Sequence, residues 1–282
     1  VYTIPDIDTC YYEYDLTYEC GAGEIAIRTS LTAIDEEELA NYEDLNYPDS
    51  VVVRDQNGDP IADAETGEIK REPIFERFGY YRLDRLTYDP QRAMTESGKD
   101  YKIFRFDIWE DSIDDSGNSI PYASRTPKPI TYYLNFDFPA DLLDTAQEVA
   151  ADWNDAFKDT VASLQGAANV PDMFIVKENS CSQTNVSAYL SANTDVKELV
   201  LASMENKALA ADTLGNYCAA TEYHSKTNAT PFTWEQMGDT RYNMLNWITS
   251  VTPAAFSGYG PMLADPTNGR IVQATANILG WT

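Results

Sequence analysis

The sequence predicts an α+β protein in two parts: an antiparallel, β-rich N-terminal domain over 1–128, and a mixed, twisted sheet with backing helices over 129–282. Three observations support this. Aromatic, alternating phrases such as "FGYYRLDRLTYD" and "YKIFRFDIWED" fill the first part, and alternation is the mark of strands. At 141–161 the spacing changes: Leu142, Ala146, Val149, Ala150, Trp153, Ala156 and Phe157 recur at helical intervals. That helix lies between two strand-like runs, and strand–helix–strand opens an α/β unit.

The elements follow in order. "EIAIRTSLTAI" alternates as a strand. "VVVRDQNGDPIADAETGEIKREPIF" holds two turn signals, Asn57-Gly58 and Thr66-Gly67, between apolar runs. Residues 111–129, "DSIDDSGNSIPYASRTPKP", are rich in Asp, Ser, Gly and Pro and are expected to link the two parts. "PITYYLNFDFP" is a short strand that stops at Pro139. The helix after it has Asp141 or Asp144 as candidate caps. "DMFIVKEN" is the next strand. Residues 180–238 form an insertion with one helix predicted near 195–211. "RYNMLNWITS" is a strand. A turn at Pro266–Gly269 leads into a last strand at about 270–279. No internal repeat is evident.

Composition bounds the function. Twenty basic residues against 46 acidic ones give a net charge of −26. Such a surface repels nucleic acid and anionic lipid, because phosphate binding needs Lys and Arg. No stretch approaches the ~20 apolar residues of a membrane span. The chain opens on Val1, without a charged and then apolar leader, as a processed or trimmed end would. Cys10 and Cys20 flank a strand-turn-strand run, and Cys181 and Cys218 flank the helical insertion. None has C-x-x-C spacing. An even, widely placed set favours two disulfides and an extracellular or cell-surface location, with four buried thiols as the competing reading. Asn185-Val-Ser and Asn228-Ala-Thr match the N-glycosylation pattern.

Catalytic constellations are scarce. His224 is the single histidine. An H-E-x-x-H zinc site needs two, one helical turn apart, so this chain cannot form one. His224 has no G-x-S-x-G nucleophile elbow near it. The lone D-S-G lies in the expected linker and lacks the second carboxylate an aspartic protease requires. No catalytic residue is therefore assigned. For calcium, Asp55, Asn57, Asp59 and Asp63 depart from EF-hand spacing, with Gly58 and Pro60 misplaced. Asp111, Asp114, Asp115 and Asn118 form a second oxygen-rich group and are the candidate calcium ligands. Each group also reads as an Asx-rich turn.

Three phrases of the second part resemble one family. "PITYYLNFDFPADLLDTAQEVAADWNDAF" is similar to the opening of metzincin-like (matrixin-like) zinc metallopeptidase domains, with Trp153, Asn154, Ala156 and Phe157 in a W-N-x-A-F pattern. "DTRYNMLNWI" resembles the D-x-R-x-N-x-I-x-W strand of large secreted bacterial members, with Leu245 in the Ile position. "GYGPMLADPTNGRIVQATANI" resembles their G-x-G-P-x-x-x-D-P-x-T-G-E-I-x-x-A segment, with Asn268 and Arg270 in the Thr and Glu positions. "FGYYRLDRLTYD" and "FDIWED" resemble the domain that precedes catalysis there.

The resemblance implies the upper half of a metzincin-like catalytic domain. It makes the last strand an antiparallel edge, with Arg270, Ile271, Val272, Gln273, Ala274, Thr275 and Ala276 pairing with an extended substrate. The zinc helix follows later in that family's chain, so zinc is expected only with a C-terminal fragment of the same precursor. The chain ends just after a strand, as the front part of something larger would. The function this implies is the N-terminal portion of a secreted zinc metalloendopeptidase, not catalytic alone. The alternative is a non-enzymatic extracellular structural subunit whose edge pairs with other copies of itself.

Overall fold

The computed structural model describes residues 2–5, 22–25, 29–31, 33, 36–74, 80–88, 90–91, 93, 98–249 and 257–280. Its main sheet is built around parallel strands that the second part of the chain supplies. β7 (Ile130–Leu134) leads through a 3-10 turn at Ala140–Leu142 into helix α2 (Leu143–Gln165), and α2 returns to β8 (Phe174–Lys177), parallel to β7. β9 (Asn243–Ile248) lies parallel on the other side of β7, and β12 (Ile271–Leu279) parallel beside β9. β10 (Gly258–Tyr259) and β11 (Met262–Ala264) both run antiparallel along the far side of β12. The sheet order is therefore β10-β12-β9-β7-β8, with β11 also on β12.

The N-terminal part carries β structure of the expected antiparallel kind, divided among small pairs. β1 (Tyr2–Pro5) pairs with β2 (Ala22–Ile25), β3 (Ser50–Val52) with β4 (Arg71–Pro73), and β5 (Arg82–Leu86) with β6 (Lys99–Ile103). A short helix α1 (Glu36–Ala40) precedes β3. The two predicted hairpin turns form. At the first, Asp55 accepts from the backbone N–H groups of Asn57 and Asp59. At the second, Asp63 accepts from those of Glu65 and Thr66. Cys10 and Cys20 lie outside the described residues.

The segment expected to be a linker, 111–129, is packed structure. Asp114 Oδ1 accepts from the Ser116 and Asn118 N–H groups and closes a tight turn, and Ile113 bridges Ser119 across it. Trp109 bridges Pro127 just outside and is buried against Val161 of α2 and Met173. Asp, Ser, Gly and Pro are turn formers whether or not a strap is mobile, so composition alone suggested a linker.

Helix α2 shows why its sequence takes this form. Ala146 and Ala150 face the sheet with Leu134 and Val176 in one core cluster. Neither expected cap serves: the N-cap is Leu142, with no side-chain hydrogen bond, while Asp144 sits in the first turn, where the helix dipole favours an acid. The helix ends at Gly166, whose φ of 64° is left-handed and whose N–H donates to the Ala162 carbonyl. Asn154 ties the helix to the sheet. Its Oδ1 accepts from the backbone N–H of Met173 at 2.7 Å and of Phe174 at 3.1 Å, and its Nδ2 donates to Asp172. Replacing Asn154 with leucine orphans both N–H groups and should cost about 1–3 kcal/mol. Chemical denaturation would measure it, and a loss well under that range would mean water replaces the asparagine.

The insertion is a helical subdomain with its own core. It holds α3 (Gln183–Ala192), α4 (Thr194–Ser203) and α5 (Leu214–Ser225). The single helix predicted near 195–211 is thus corrected: α4 stops at Ser203, because Glu205 and Asn206 take left-handed φ values of 52° and 59°. Val186, Leu190, Val196, Val200 and Tyr217 bury around the Cys181–Cys218 disulfide. Phe136, just beyond β7, and Trp234 pack on this core edge to face.

Candidate functional site

The predicted edge strand is corrected by the topology. Residues Ile271 to Ala276 lie in β12, which is paired on both sides and is not an edge. On one side, Thr275 and Ala276 oppose Met244 and Leu245 of β9. On the other, Ala274 and Gln273 oppose Met262 and Leu263 of β11. Arg270 and Ile271 are held by Arg105: the Arg105 N–H donates to Gly269, and the Ile271 N–H donates to the Arg105 carbonyl. Among the described residues, the antiparallel edge is instead β10 and β11, upstream in the chain, separated by Gly260 and Pro261. Strand direction cannot be read from one strand's own residues. An inner strand and an edge strand differ in whether both hydrogen-bonding edges are paired, which depends on the neighbouring strands.

The turn that leads into β12 forms as expected. The Gly269 N–H donates to the Asp265 carbonyl, and Asp265 Oδ1 accepts from the N–H and hydroxyl of Thr267. Gly269 has a φ of 80° and packs directly on the Ile103 carbonyl, where a Cβ would collide. This turn therefore docks the sheet onto the end of β6.

The D-x-R-x-N phrase is a clamp at the start of the parallel strands. Asp239, 2% exposed, pairs with Arg241 through two hydrogen bonds, and these hold the guanidinium pKa above its ordinary value. Asn243 reaches both ways from β9: Nδ2 donates to the Thr131 carbonyl and Oδ1 accepts from the Ala274 N–H. At the other end of β7, Asn135 does the same for Trp247, accepting from its N–H and donating to its carbonyl. In the middle, Asn246 donates to Asn277 across β9 and β12, and both are buried. These asparagines look like loop residues in sequence, yet they stitch the sheet together.

Two cavities flank the sheet. A polar cleft of about 330 Å³ lies at the start of β7, β9 and β12, between Asp107, Lys128, Thr131, Arg241 and Asn243. Burial pushes the Asp107 carboxyl up despite Lys128 at 3.8 Å. An apolar groove of about 300 Å³ runs between α2 and the sheet face. Tyr132, Leu245 and Ala276 form its floor, and Val149 and Trp153 one wall. Burial there pushes the Tyr132 phenol up to about 12. Val149 and Trp153 remain 50% and 56% exposed, an unusual position for large apolar side chains on a helix that backs a sheet.

The remaining predicted residues are placed as follows. Cys181 and Cys218 form a disulfide in the insertion. Asp111 accepts from Asn41, and Asp114 is taken up by its own turn with Asn118. Among the described residues, no three His, Cys, Asp or Glu side chains gather where they could hold a metal ion. His224 lies in α5, with Nε2 at 2.8 Å from Ser203 Oγ at the end of α4. The Ser203 hydroxyl also donates to Leu199, so this pair fastens two helices. No helix among the described residues is long and apolar enough to cross a membrane.

Comparison with protein-family models, with curated proteins and with solved structures found no match for this chain.

Proposed function

We propose that this chain is the sheet-bearing portion of a secreted zinc metalloendopeptidase, supplying fold and a substrate-pairing edge but not catalysis alone. The observation that carries the reading is the sheet order: parallel strands bordered by a short antiparallel edge, β10 and β11, after a single strand–helix–strand unit. An edge offers unpaired N–H and C=O groups to an extended peptide, which adds to it as one more strand. The peptide-pairing role passes from Arg270–Ala276 to Met262–Ala264. The W-N-x-A-F residues of the family resemblance sit on the helix that backs the sheet. The Cys181–Cys218 bond suits an oxidising, extracellular setting.

The chain's own residues do not fit a catalytic zinc. The one histidine is engaged with Ser203 in the insertion, far in sequence from the edge strand. The zinc ligands therefore belong to a C-terminal fragment of the same precursor, and no catalytic step is assigned to residues here.

The test is to purify the natural material and measure intact mass, bound zinc and cleavage of an unfolded protein. A second polypeptide with stoichiometric zinc and proteolysis is the expected result. A zinc-free chain that assembles into filaments or sheets would overturn it and favour the structural-subunit alternative.

A further inference from the structure

The helical insertion holds a further cavity of about 300 Å³, lined only by its own helices and the loop between α4 and α5. Its floor is apolar. Leu190 of α3 and Tyr217 of α5 are buried, and Leu201 of α4 and Leu209 of the loop are half-buried. Lys197 and Lys207 also line it, and no Asp or Glu does. Lys197 makes no ion pair among the described residues. Lys207 meets Glu205 at 3.7 Å, with both side chains well exposed, and such a pair holds the ammonium weakly. In a chain with 46 acidic and 20 basic residues, this lining reverses the prevailing sign.

The rim that carries Lys207 is fixed in advance. Glu205 and Asn206 both take left-handed φ values, a costly conformation for residues other than glycine. Bonds on the following residues hold it. The Lys207 carbonyl accepts from the buried Tyr217 hydroxyl at 2.5 Å, and the Ala208 carbonyl accepts from the Thr213 hydroxyl at 2.8 Å. A rim already held in shape loses less entropy on binding than a loop that must order.

This lining selects a ligand of two parts. An apolar body displaces water from the leucine and tyrosine floor. A negative group beside it meets the two ammonium groups, which act as compact point charges. The long-range field of a chain with net charge −26 opposes an anion more strongly the higher its charge, which favours a carboxylate over a doubly charged phosphate.

We propose that the cavity between α3, α4 and the loop before α5 binds a small carboxylate with an apolar body, such as an aryl or branched-chain acid. The proposal concerns the insertion and does not depend on the peptidase reading.

The test is calorimetric titration of the whole chain with 3-phenylpropionate, its uncharged amide, 3-phenylpropylamine and acetate. The amide removes the charge, the amine reverses it, and acetate lacks the body. Phenylpropionate should bind saturably and at least ~10-fold tighter than each of the others. Lys197→Gln combined with Lys207→Gln should weaken it by ~10-fold, while Lys226→Gln, elsewhere on the insertion, should leave it unchanged. All three lysines are exposed, so these variants should keep their fold, which circular dichroism would verify. No saturation by about 10 mM, or equal binding of any other probe, overturns the proposal. An equal loss in Lys226→Gln would reduce the effect to general charge, and an unmoved double variant would place the site elsewhere. Either result overturns it too.

Discussion

Replacing Cys181 and Cys218 together with alanine should destabilise the helical insertion by about 4 kcal/mol, the loop-closure value for a bridge spanning 37 residues. The bond joins the residue before the N-cap of α3 to the middle of α5, so it fixes the two ends of the insertion's core. Both sulfurs are buried, with Cys181 2% and Cys218 0% exposed. The insertion is about the size at which a hydrophobic core is marginal by itself. Without the bridge, α3 to α5 should melt in a separate transition below that of the main sheet. Far-ultraviolet circular dichroism would detect this, because these helices supply much of the helical signal. A reductant should produce the same change only on partial unfolding, since the sulfurs are enclosed. A double-alanine chain that melts in one transition, within about 1 kcal/mol of its parent, would show that packing alone holds the insertion.

The same insertion shows how far the sequence carries. The β7–α2–β8 unit was legible because Leu142 to Phe157 has a clear period and both flanking strands are short apolar runs. The turn at Pro266–Gly269 was legible because its residues force a turn. Helices α3 and α5 were not. "QTNVSAYLSA" and "LGNYCAATEYHS" are polar with small residues interspersed, and they lack a stripe of large apolar side chains. A local period cannot report a core organised around a disulfide between residues so far apart. The place of β12 was hidden for a related reason. Its residues identify a strand, but only tertiary pairing decides that β10 and β11 lie outside it. The buried asparagines were also hidden, since Asn in a strand ordinarily signals a turn or an exposed position. The groove beside α2 was half visible: Trp153 and Val149 belong to the apolar stripe, yet only the fold shows that they are left uncovered.

Arg125→Ala should cost about 1.5–3 kcal/mol, the range for hydrogen bonds to a charged group, because Glu43, the ionic partner left behind, is only partly buried. The Arg125 side chain is 1% exposed and donates from every nitrogen. Nη2 reaches Glu43 at 2.6 Å and Ser119 at 2.9 Å, Nη1 reaches Ser112 at 3.2 Å, and Nε reaches the Ile120 carbonyl at 2.8 Å. The guanidinium also lies 4.3 Å from the Tyr122 ring centre. One side chain thus fastens the 111–129 segment to Glu43, while the Arg125 carbonyl accepts from Gln165 at the end of α2. Lysine cannot reproduce this fork of donors, so Arg125→Lys should recover only part of the loss. Acidity gives an independent check. Burial alone would raise the Glu43 carboxyl, but hydrogen bonds from Arg125 and Ser119 and the nearby positive charges outweigh it and hold the carboxyl below its ordinary value. A depressed carboxyl stabilises the fold above its unfolded pKa, and that contribution disappears as pH falls through the folded value. The stability gap between parent and Arg125→Ala should therefore narrow between about pH 7 and about pH 3. Urea midpoints at the two pH values would measure the gap. A gap that stays constant would mean that the arginine acts through packing and its neutral hydrogen bonds, with the Glu43 charge contributing nothing.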